Sequence, residues 1–324
     1  MTAATRSRRH AIALGGAALL SACATPPRLP VVAGAAAAGA EEIEILFGTD
    51  REIDPVLGLP GAGRRRALAL GRAVISVPPA HRPGRIEWPA ARPDPARHFV
   101  AAEVANEMPP ARWQARLRRL MRARRSDEVL VFVHGYNTSH PEALFRLAQI
   151  VHDYRLEGVP VLYSWPSLGQ PFGYMRDRDS ALIARDDLSR LLARLKAGGA
   201  RRILLVAHSL GALVTMEALR SLALAGRRDL LARIRGVVLV SPDLDVELFR
   251  RQMQTIRPLP QPFVILASRR DRALRLAALI TGQTERLGNL PSVEPIADLD
   301  VALIDLSALD AGPLGHFTAA RSPA

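Results

Sequence analysis

A serine stands where a buried strand changes into a helix. The stretch LLVAHSLGALV, residues 204–214, places Ser209 between two apolar runs, with Ala207 two residues before it and Gly211 two residues after it. A sharp strand-to-helix turn forces its central residue to positive φ and leaves room only for small side chains at these two positions. The helix amides then lie beneath the hydroxyl and favour developing negative charge. Ser209 is therefore predicted to be a nucleophile, the alternative being a serine that only caps the helix.

A serine nucleophile needs a base, and one histidine is placed to supply it. In folds that carry such a turn the chain order is serine, acid, histidine, and of the eight histidines only His316, in PLGHFTA, follows the serine. The acid is expected at a strand exit, which favours Asp271 in FVILASRRDRAL. Asp243 and Asp245 leave the preceding strand and remain alternatives. For His316 the alternative is a surface histidine near the terminus.

Backbone amides that could stabilise an oxyanion are predicted after another strand. The run VFVHGYNTS, residues 131–139, ends a strand at Gly135, whose missing side chain lets the chain turn close to the serine. The amide of Leu210 and that of Gly135 or Tyr136 are therefore predicted to form the oxyanion hole. A simple strand-exit turn is the alternative.

Aromatic residues follow a further strand at the same rim. The segment SWPSLGQPFGYM, residues 164–175, places Trp165 and Tyr174 among glycines and prolines. These two side chains are predicted to line an acyl or ring pocket, and a packing loop fits the pattern equally well. The sequence has no spacing typical of metal ligands and no phosphate loop after a strand, so neither a metal nor a cofactor is predicted.

From residue 41 onward, short apolar runs alternate with stretches that have helical periodicity. Strands are predicted near 43–47, 129–133, 159–163, 202–206, 235–240, 263–267 and 300–305, and helices at 110–124, 141–157, 179–197, 210–225, 246–256 and 273–282. This alternation predicts an α/β fold with a mostly parallel sheet and helices on both faces, preceded by antiparallel strands in 41–128. The short connection between 235–240 and 263–267 leaves no room for a large cap domain.

The first residues carry an export pattern. Arginines precede the uncharged run AIALGGAALL, which has ten residues where a membrane-spanning helix needs about 20. Residues 1–22 are therefore predicted to be a signal peptide. Leu20-Ser21-Ala22-Cys23 resembles the lipobox of bacterial lipoproteins, and Cys23 is the only cysteine. Lipidation of Cys23 is predicted, the alternative being an ordinary secretory signal with an incidental cysteine. Ser7-Arg8-Arg9 leaves twin-arginine export open beside the general secretory route.

The mature chain is predicted to begin with a lipidated tether, residues 23–40, followed by one domain over residues 41–324. Inner-membrane lipoproteins often carry aspartate where this chain has Ala24, so the resemblance favours the outer membrane, facing the periplasm. The formal charge is +13, nearly all from arginine, since Lys196 is the only lysine. No basic stripe is interleaved with aromatic residues, so a nucleic-acid partner is not predicted.

Several spaced strings together carry a family resemblance. They are HGYNTS (134–139), VLYSWPSLG (161–169), YMRDRDSA (174–181), AHSLG (207–211) and SRRDRAL (268–274). In this order they resemble a bacterial α/β-hydrolase family of unknown function, over about residues 42–318. The resemblance implies the α/β-hydrolase fold and supports Ser209, Asp271 and His316 at the matching positions. It implies little about the substrate.

The function predicted from these residues is acyl transfer to water. A Ser-His-Asp triad would cleave a carboxylic ester or thioester of a small molecule or lipid through an acyl-enzyme, in a protein held at the membrane by Cys23. One alternative is an acyltransferase that acts on a glycan or lipid hydroxyl. Another is a catalytically silent envelope lipoprotein that serves as an adaptor.

Overall fold

A mixed sheet runs through the part of the chain that the structure describes. The structure is a computed structural model, and it describes residues 29–32, 34, 37–170, 173–282 and 285–309. Among these residues the sheet has nine strands in the order β3-β2-β1-β5-β4-β6-β7-β8-β9. The strands are β1 (Glu41–Asp54), β2 (Leu59–Val77), β3 (Val100–Ala105), β4 (Glu128–Val133), β5 (Val159–Ser164), β6 (Arg202–His208), β7 (Ile234–Val240), β8 (Phe263–Ala267) and β9 (Ala302–Asp305).

Helices connect most of the parallel strands. They are α1 (Pro110–Ala123), α2 (His140–Asp153), α3 (Tyr174–Ala197), α4 (Gly211–Leu224), α5 (Arg228–Leu231), α6 (Val246–Thr255) and α7 (Arg272–Thr281). Short 3₁₀ turns follow at Leu287–Asn289 and Glu294–Ile296. α5 was not predicted from the sequence. α2 ends four residues earlier and α3 begins five residues earlier than predicted, and the other predicted helix bounds agree within one residue.

The strand directions bring the candidate residues to one edge. β4 to β9 run parallel to their neighbours, and β1 runs parallel to β5, whereas β2 pairs antiparallel with both β1 and β3. The carboxyl ends of β1, β4, β5, β6, β7 and β8 therefore meet at the same edge, where the fold class places binding sites. The predicted mostly parallel sheet, with leading antiparallel strands, is confirmed.

Both faces of the sheet are covered, which explains the unbroken apolar runs in its strands. In β4, Val129, Val131 and Val133 pack into one hydrophobic cluster, and Leu130 and Phe132 pack into the cluster on the other face. The first cluster includes the apolar faces of α1, α3, α4 and α6. The second includes α2. The predicted helices on both faces are therefore confirmed.

Local signals fix where α2 begins. Ser139 accepts a hydrogen bond from the Glu142 amide, and the Glu142 carboxylate accepts one from the Ser139 amide. This capping box satisfies amides that the first helical turn leaves without partners. It also ends the loop that follows β4 at a defined point. Between β7 and β8 the chain forms only α6, so no large cap domain is inserted there, as predicted.

Part of the predicted tether lies on the domain. The Ala101 amide donates to Pro30 O at 3.0 Å, the Val32 amide donates to Ala101 O at 2.9 Å, and Leu29 is buried. The chain therefore contacts the edge strand β3 within the range predicted as a tether. Cys23 and the predicted signal peptide lie outside the described residues. Among the helices that the structure describes, none is both long enough and apolar enough to cross a membrane.

Candidate active site

Ser209 occupies a strained turn between β6 and α4. Its φ of +52° lies in the left-handed region, which costs a residue with a side chain on the order of 1–3 kcal/mol. Three backbone hydrogen bonds hold this conformation: the Ser209 amide donates to Val240 O at 2.9 Å, and Ser209 O accepts from the Asp243 amide at 3.1 Å and from the Ala212 amide at 3.0 Å. The serine is thus fixed at the carboxyl edge of the sheet by the loop after β7.

Two glycines let neighbouring backbone approach this turn. A Cβ on Gly211 would overlap His134 O and lie 2.6 Å from Val133 O, so only glycine lets α4 start against the end of β4. A Cβ on Gly135 would lie 2.7 Å from both Ser209 Cβ and His208 Nδ1. The Gly135 Cα therefore packs against the serine side chain, in the loop that is predicted to supply an oxyanion amide.

The loop after β4 continues as a tight turn. Asn137 has a φ of +52°, and Thr138 Oγ1 donates a hydrogen bond to Tyr136 O at 3.1 Å. The Tyr136 hydroxyl donates to Gln170 O at 3.2 Å, and its ring meets the Tyr174 ring edge-on with centroids 5.3 Å apart. Burial raises the pKa of the Tyr136 hydroxyl, which keeps it protonated. Leu210 is buried at the start of α4, immediately after the serine.

Asp271 lies in the turn after β8 and caps the start of α7. Its side chain is completely buried, its Oδ1 accepts from the Leu274 amide at 3.0 Å, and its own amide donates to Ser268 O at 3.1 Å. The carboxylate is thus held at the same edge of the sheet as Ser209. His316 lies outside the described residues, so its role as the base stays a prediction.

The two alternative acids have other partners. Asp243 accepts from the Tyr174 hydroxyl at 2.8 Å, and its carboxylate lies 3.3 Å from Arg286 Nε in an ion pair buried on both sides. Asp245 caps α6, since its Oδ1 accepts from the Leu248 amide at 2.9 Å. The buried ion pair of Asp243 is a structural use that a triad acid would have to share, which favours Asp271 over Asp243. Asp245 and Asp271 each cap a helix with one carboxylate oxygen.

The aromatic residues after β5 are packed inside the fold. Trp165 is completely buried, its indole Nε1 donates to His134 O at 2.7 Å, and its ring stacks on the His134 imidazole at 5.0 Å. Trp165 therefore packs inside the fold, which agrees with the packing loop given as the alternative to a substrate pocket. Tyr174 is also buried, with its hydroxyl directed to Asp243. Burial, followed by the negative charge of Asp243, raises its pKa.

Two charged residues at the end of β1 were not predicted as part of the site. Burial, with the nearby Asp187, raises the pKa of Asp50 to about 7. Burial lowers the pKa of Arg51 to about 10, so the guanidinium remains cationic at neutral pH. Burial, with the charge of Arg51, also lowers the pKa of His140 to about 3. The signal in the sequence was the pair Asp50-Arg51, which follows the apolar run ILF in the same strand.

One group of described residues has the composition of a cation site. His81, His152 and Asp153 offer ligand atoms that all lie within 4.8 Å of one another. The ring nitrogens of His81 are each 2.8 Å from a carboxylate oxygen, one of Glu87 and one of Asp153. These partners satisfy both nitrogens of His81 without an ion. The group joins the loop after β2 to the end of α2, at the opposite edge of the sheet from Ser209.

A family model matches residues 110–324, which include every proposed site residue from the loop after β4 onward. The model describes an alpha/beta hydrolase of unknown function (DUF900). The chain belongs to this family. Membership confirms the hydrolase class and the predicted fold, and the family's description leaves the substrate open. No curated protein matches the chain.

Solved structures of hydrolases are also similar to the chain. A YdeN-like hydrolase from Pectobacterium atrosepticum is 19% identical over 64% of this chain and 90% of its own, with a TM-score of 0.34. A lipase-esterase related protein from Clostridium acetobutylicum is 12% identical over 61% of this chain and 90% of its own, with a TM-score of 0.32. A fungal esterase from Rhizomucor miehei is 15% identical over 85% and 78%, with a TM-score of 0.33. With TM-scores this low, these similarities carry no argument about the site.

Proposed function

We propose that this α/β hydrolase is a serine esterase or thioesterase anchored to the cell envelope. The observation that carries the proposal is the contact between the two halves of the candidate site. Ser209 has a φ of +52° at the strand-to-helix turn, and the Gly135 Cα packs against its Cβ. A serine that only capped a helix would need neither the left-handed backbone nor a glycine loop packed on its side chain.

The proposed reaction has two steps. In the first, the His316 imidazole takes the Ser209 hydroxyl proton while Oγ attacks the acyl carbonyl carbon. The amides of Leu210 and Tyr136 stabilise the oxyanion, and collapse of the intermediate releases the alcohol or thiol, which receives the proton from His316. In the second step, His316 deprotonates water, which attacks the acyl-enzyme carbonyl carbon, and the imidazolium then returns its proton to Ser209 Oγ as the carboxylic acid leaves. Asp271 holds the imidazole in the required tautomer and stabilises the imidazolium.

Labelling with a fluorophosphonate tests this function directly. The wild-type protein is expected to react once, with loss of fluoride and formation of a phosphonyl ester on Ser209. Mass spectrometry of the peptide that contains AHSLG locates the adduct. Reaction together with steady hydrolysis of a p-nitrophenyl ester supports the hydrolase, whereas turnover that depends on an added hydroxyl acceptor indicates an acyltransferase. If no adduct forms at Ser209, both the hydrolase and the acyltransferase are excluded, and a catalytically silent adaptor protein is favoured.

The envelope anchor is supported by the lipobox-like string Leu20-Ser21-Ala22-Cys23, and only a short spacing separates Cys23 from the domain. Among the described residues, Pro30 is the first that hydrogen-bonds to β3, so the seven residues after Cys23 can span at most about 25 Å. A lipid on Cys23 would therefore hold the domain close to its membrane. We expect Cys23→Ser to move the protein from the membrane fraction to the soluble fraction, without changing esterase activity. Membrane retention of the variant, as well as a wild-type Cys23 that carries no lipid mass, would contradict the anchor.

A further inference from the structure

Arg51 is a buried cation that joins three segments near the candidate site. It lies at the carboxyl end of β1 and is 1% exposed. Its five N–H groups all have acceptors, none of them a carboxylate. Nε donates to Ser164 Oγ at 3.0 Å, Nη1 donates to Gly61 O at 2.7 Å and Ser167 O at 3.0 Å, and Nη2 donates to Thr138 O at 2.7 Å and His134 Nε2 at 3.3 Å.

The contacts of His134 indicate which of its nitrogens carries the proton. Nε2 lies between the Arg51 Nη2 donor at 3.3 Å and the Trp165 O acceptor at 3.1 Å, whereas Nδ1 faces only an acceptor, Gly135 O. A guanidinium can only donate, so a neutral imidazole that donates from Nδ1 leaves Nε2 to accept from Arg51. The proton of the neutral imidazole is therefore on Nδ1, which donates to Gly135 O at 2.9 Å. Burial, followed by the positive charge of Arg51, lowers the pKa of His134 well below its usual value, in agreement with a neutral ring.

The Nδ1 hydrogen bond sets the orientation of one peptide group. Gly135 C=O and Tyr136 N–H belong to the same planar trans peptide, so they point in opposite directions. Because Gly135 O is held by His134, the Tyr136 N–H must point away from His134. This peptide follows the Gly135 Cα that packs against Ser209 Cβ.

We propose that Arg51 and His134 are positioning residues for the oxyanion hole, acting through the Gly135–Tyr136 peptide. Arg51 selects the Nδ1–H tautomer of His134, His134 holds Gly135 O, and the Tyr136 N–H is thereby directed to the oxyanion. Arg51 also joins the loops after β4 and β5, because it donates to Thr138 O in the first loop and to Ser167 O in the second. This inference rests on the proposed function, since an oxyanion hole has meaning only for acyl transfer.

A pair of His134 variants of similar size separates positioning from packing. His134→Asn keeps an N–H near the place of Nδ1, and His134→Leu has no donor. We expect His134→Leu to lower kcat on a p-nitrophenyl ester about 10²–10³-fold, the usual effect of losing one oxyanion donor, with KM changed less than about threefold. His134→Asn should recover most of this loss. The affinity for a trifluoromethyl ketone, whose serine adduct carries the oxyanion, should fall by the same factor as kcat/KM.

The tautomer provides a readout that does not depend on activity. In protein labelled with ¹⁵N-histidine, long-range ¹H–¹⁵N spectra distinguish Nδ1–H from Nε2–H, and the spectrum of His134→Asn assigns the signal. We expect Nδ1–H in the wild type. In Arg51→Met we expect a shift toward Nε2–H, which can donate to Trp165 O, 3.1 Å away.

The outcomes separate the two proposals. Wild-type protein that does not react with a fluorophosphonate contradicts the proposed function, whatever the His134 tautomer. Reactive wild-type protein with an Nε2–H tautomer at His134 overturns the positioning role, and so does a folded His134→Leu variant with unchanged kcat. If Arg51→Met or His134→Leu does not fold, the wild-type tautomer and the His134→Asn kinetics still decide the question.

Discussion

Ser209→Ala is expected to abolish ester hydrolysis. Removal of the nucleophile in a triad typically lowers kcat by about 10⁶-fold, and what remains comes from oxyanion binding and proximity. The fold should survive, because the Ser209 amide and carbonyl, which hold the turn to Val240 and Asp243, are backbone groups that alanine retains. The measurement is kcat on a p-nitrophenyl ester, with the melting temperature recorded for the same preparation.

A glycine variant is the matched control for the turn itself. Ser209→Gly also lacks the hydroxyl, but glycine adopts a φ of +52° without steric strain. It should be as inactive as Ser209→Ala and more stable by about 1 kcal/mol. Turnover by either variant within about tenfold of the wild type would remove Ser209 from the reaction. Equal stability of the two variants would contradict the strain at this turn.

Much of the fold follows from the sequence because both faces of the sheet are covered. Apolar runs such as 129–133 have no exposed side, so they stand out against the helical periodicity of the segments between them. The turn at Ser209 can also be predicted from the sequence, because the small side chains that it requires, at Ala207 and Gly211, are only two residues away along the chain. These features depend on neighbours along the chain rather than on contacts between distant segments.

The supporting residues depend on contacts between segments far apart in the chain. Arg51 reaches Thr138 and Ser167 only because β1 pairs with β5 next to β4, an order that no local pattern encodes. From the sequence, Trp165 could equally well line a pocket or be buried in the fold. Only the tertiary structure shows that its ring stacks on His134. Only the tertiary structure distinguishes the role of Asp243 from that of Asp271, because it places Arg286, from a later loop, beside Asp243.

Asp271→Asn is expected to lower kcat on the order of 10⁴-fold while leaving the fold intact. An amide in place of the carboxylate can no longer accept the imidazole N–H and stabilise the imidazolium, so the base is held in the wrong tautomer. The Asn Oδ1 can still accept from the Leu274 amide and start α7, so stability should change little. Asp271→Ala would lose this cap as well and cost about 1 kcal/mol more. The measurements are kcat on the ester and the melting temperature.

Asp243→Asn is the matched comparison for Asp271→Asn. We expect one variant to lose mainly stability and the other to lose mainly activity. Asparagine at 243 can still accept from the Tyr174 hydroxyl, but it leaves the buried Arg286 without its ion-pair partner. Such a loss destabilises a fold strongly, by about 3–5 kcal/mol. Asp243→Asn should therefore lower the melting temperature much more than kcat, whereas Asp271→Asn should lower kcat much more than the melting temperature. The reverse pattern would transfer the acid to Asp243, since the loop after β7 is hydrogen-bonded to the Ser209 backbone and could carry a carboxylate to the imidazole.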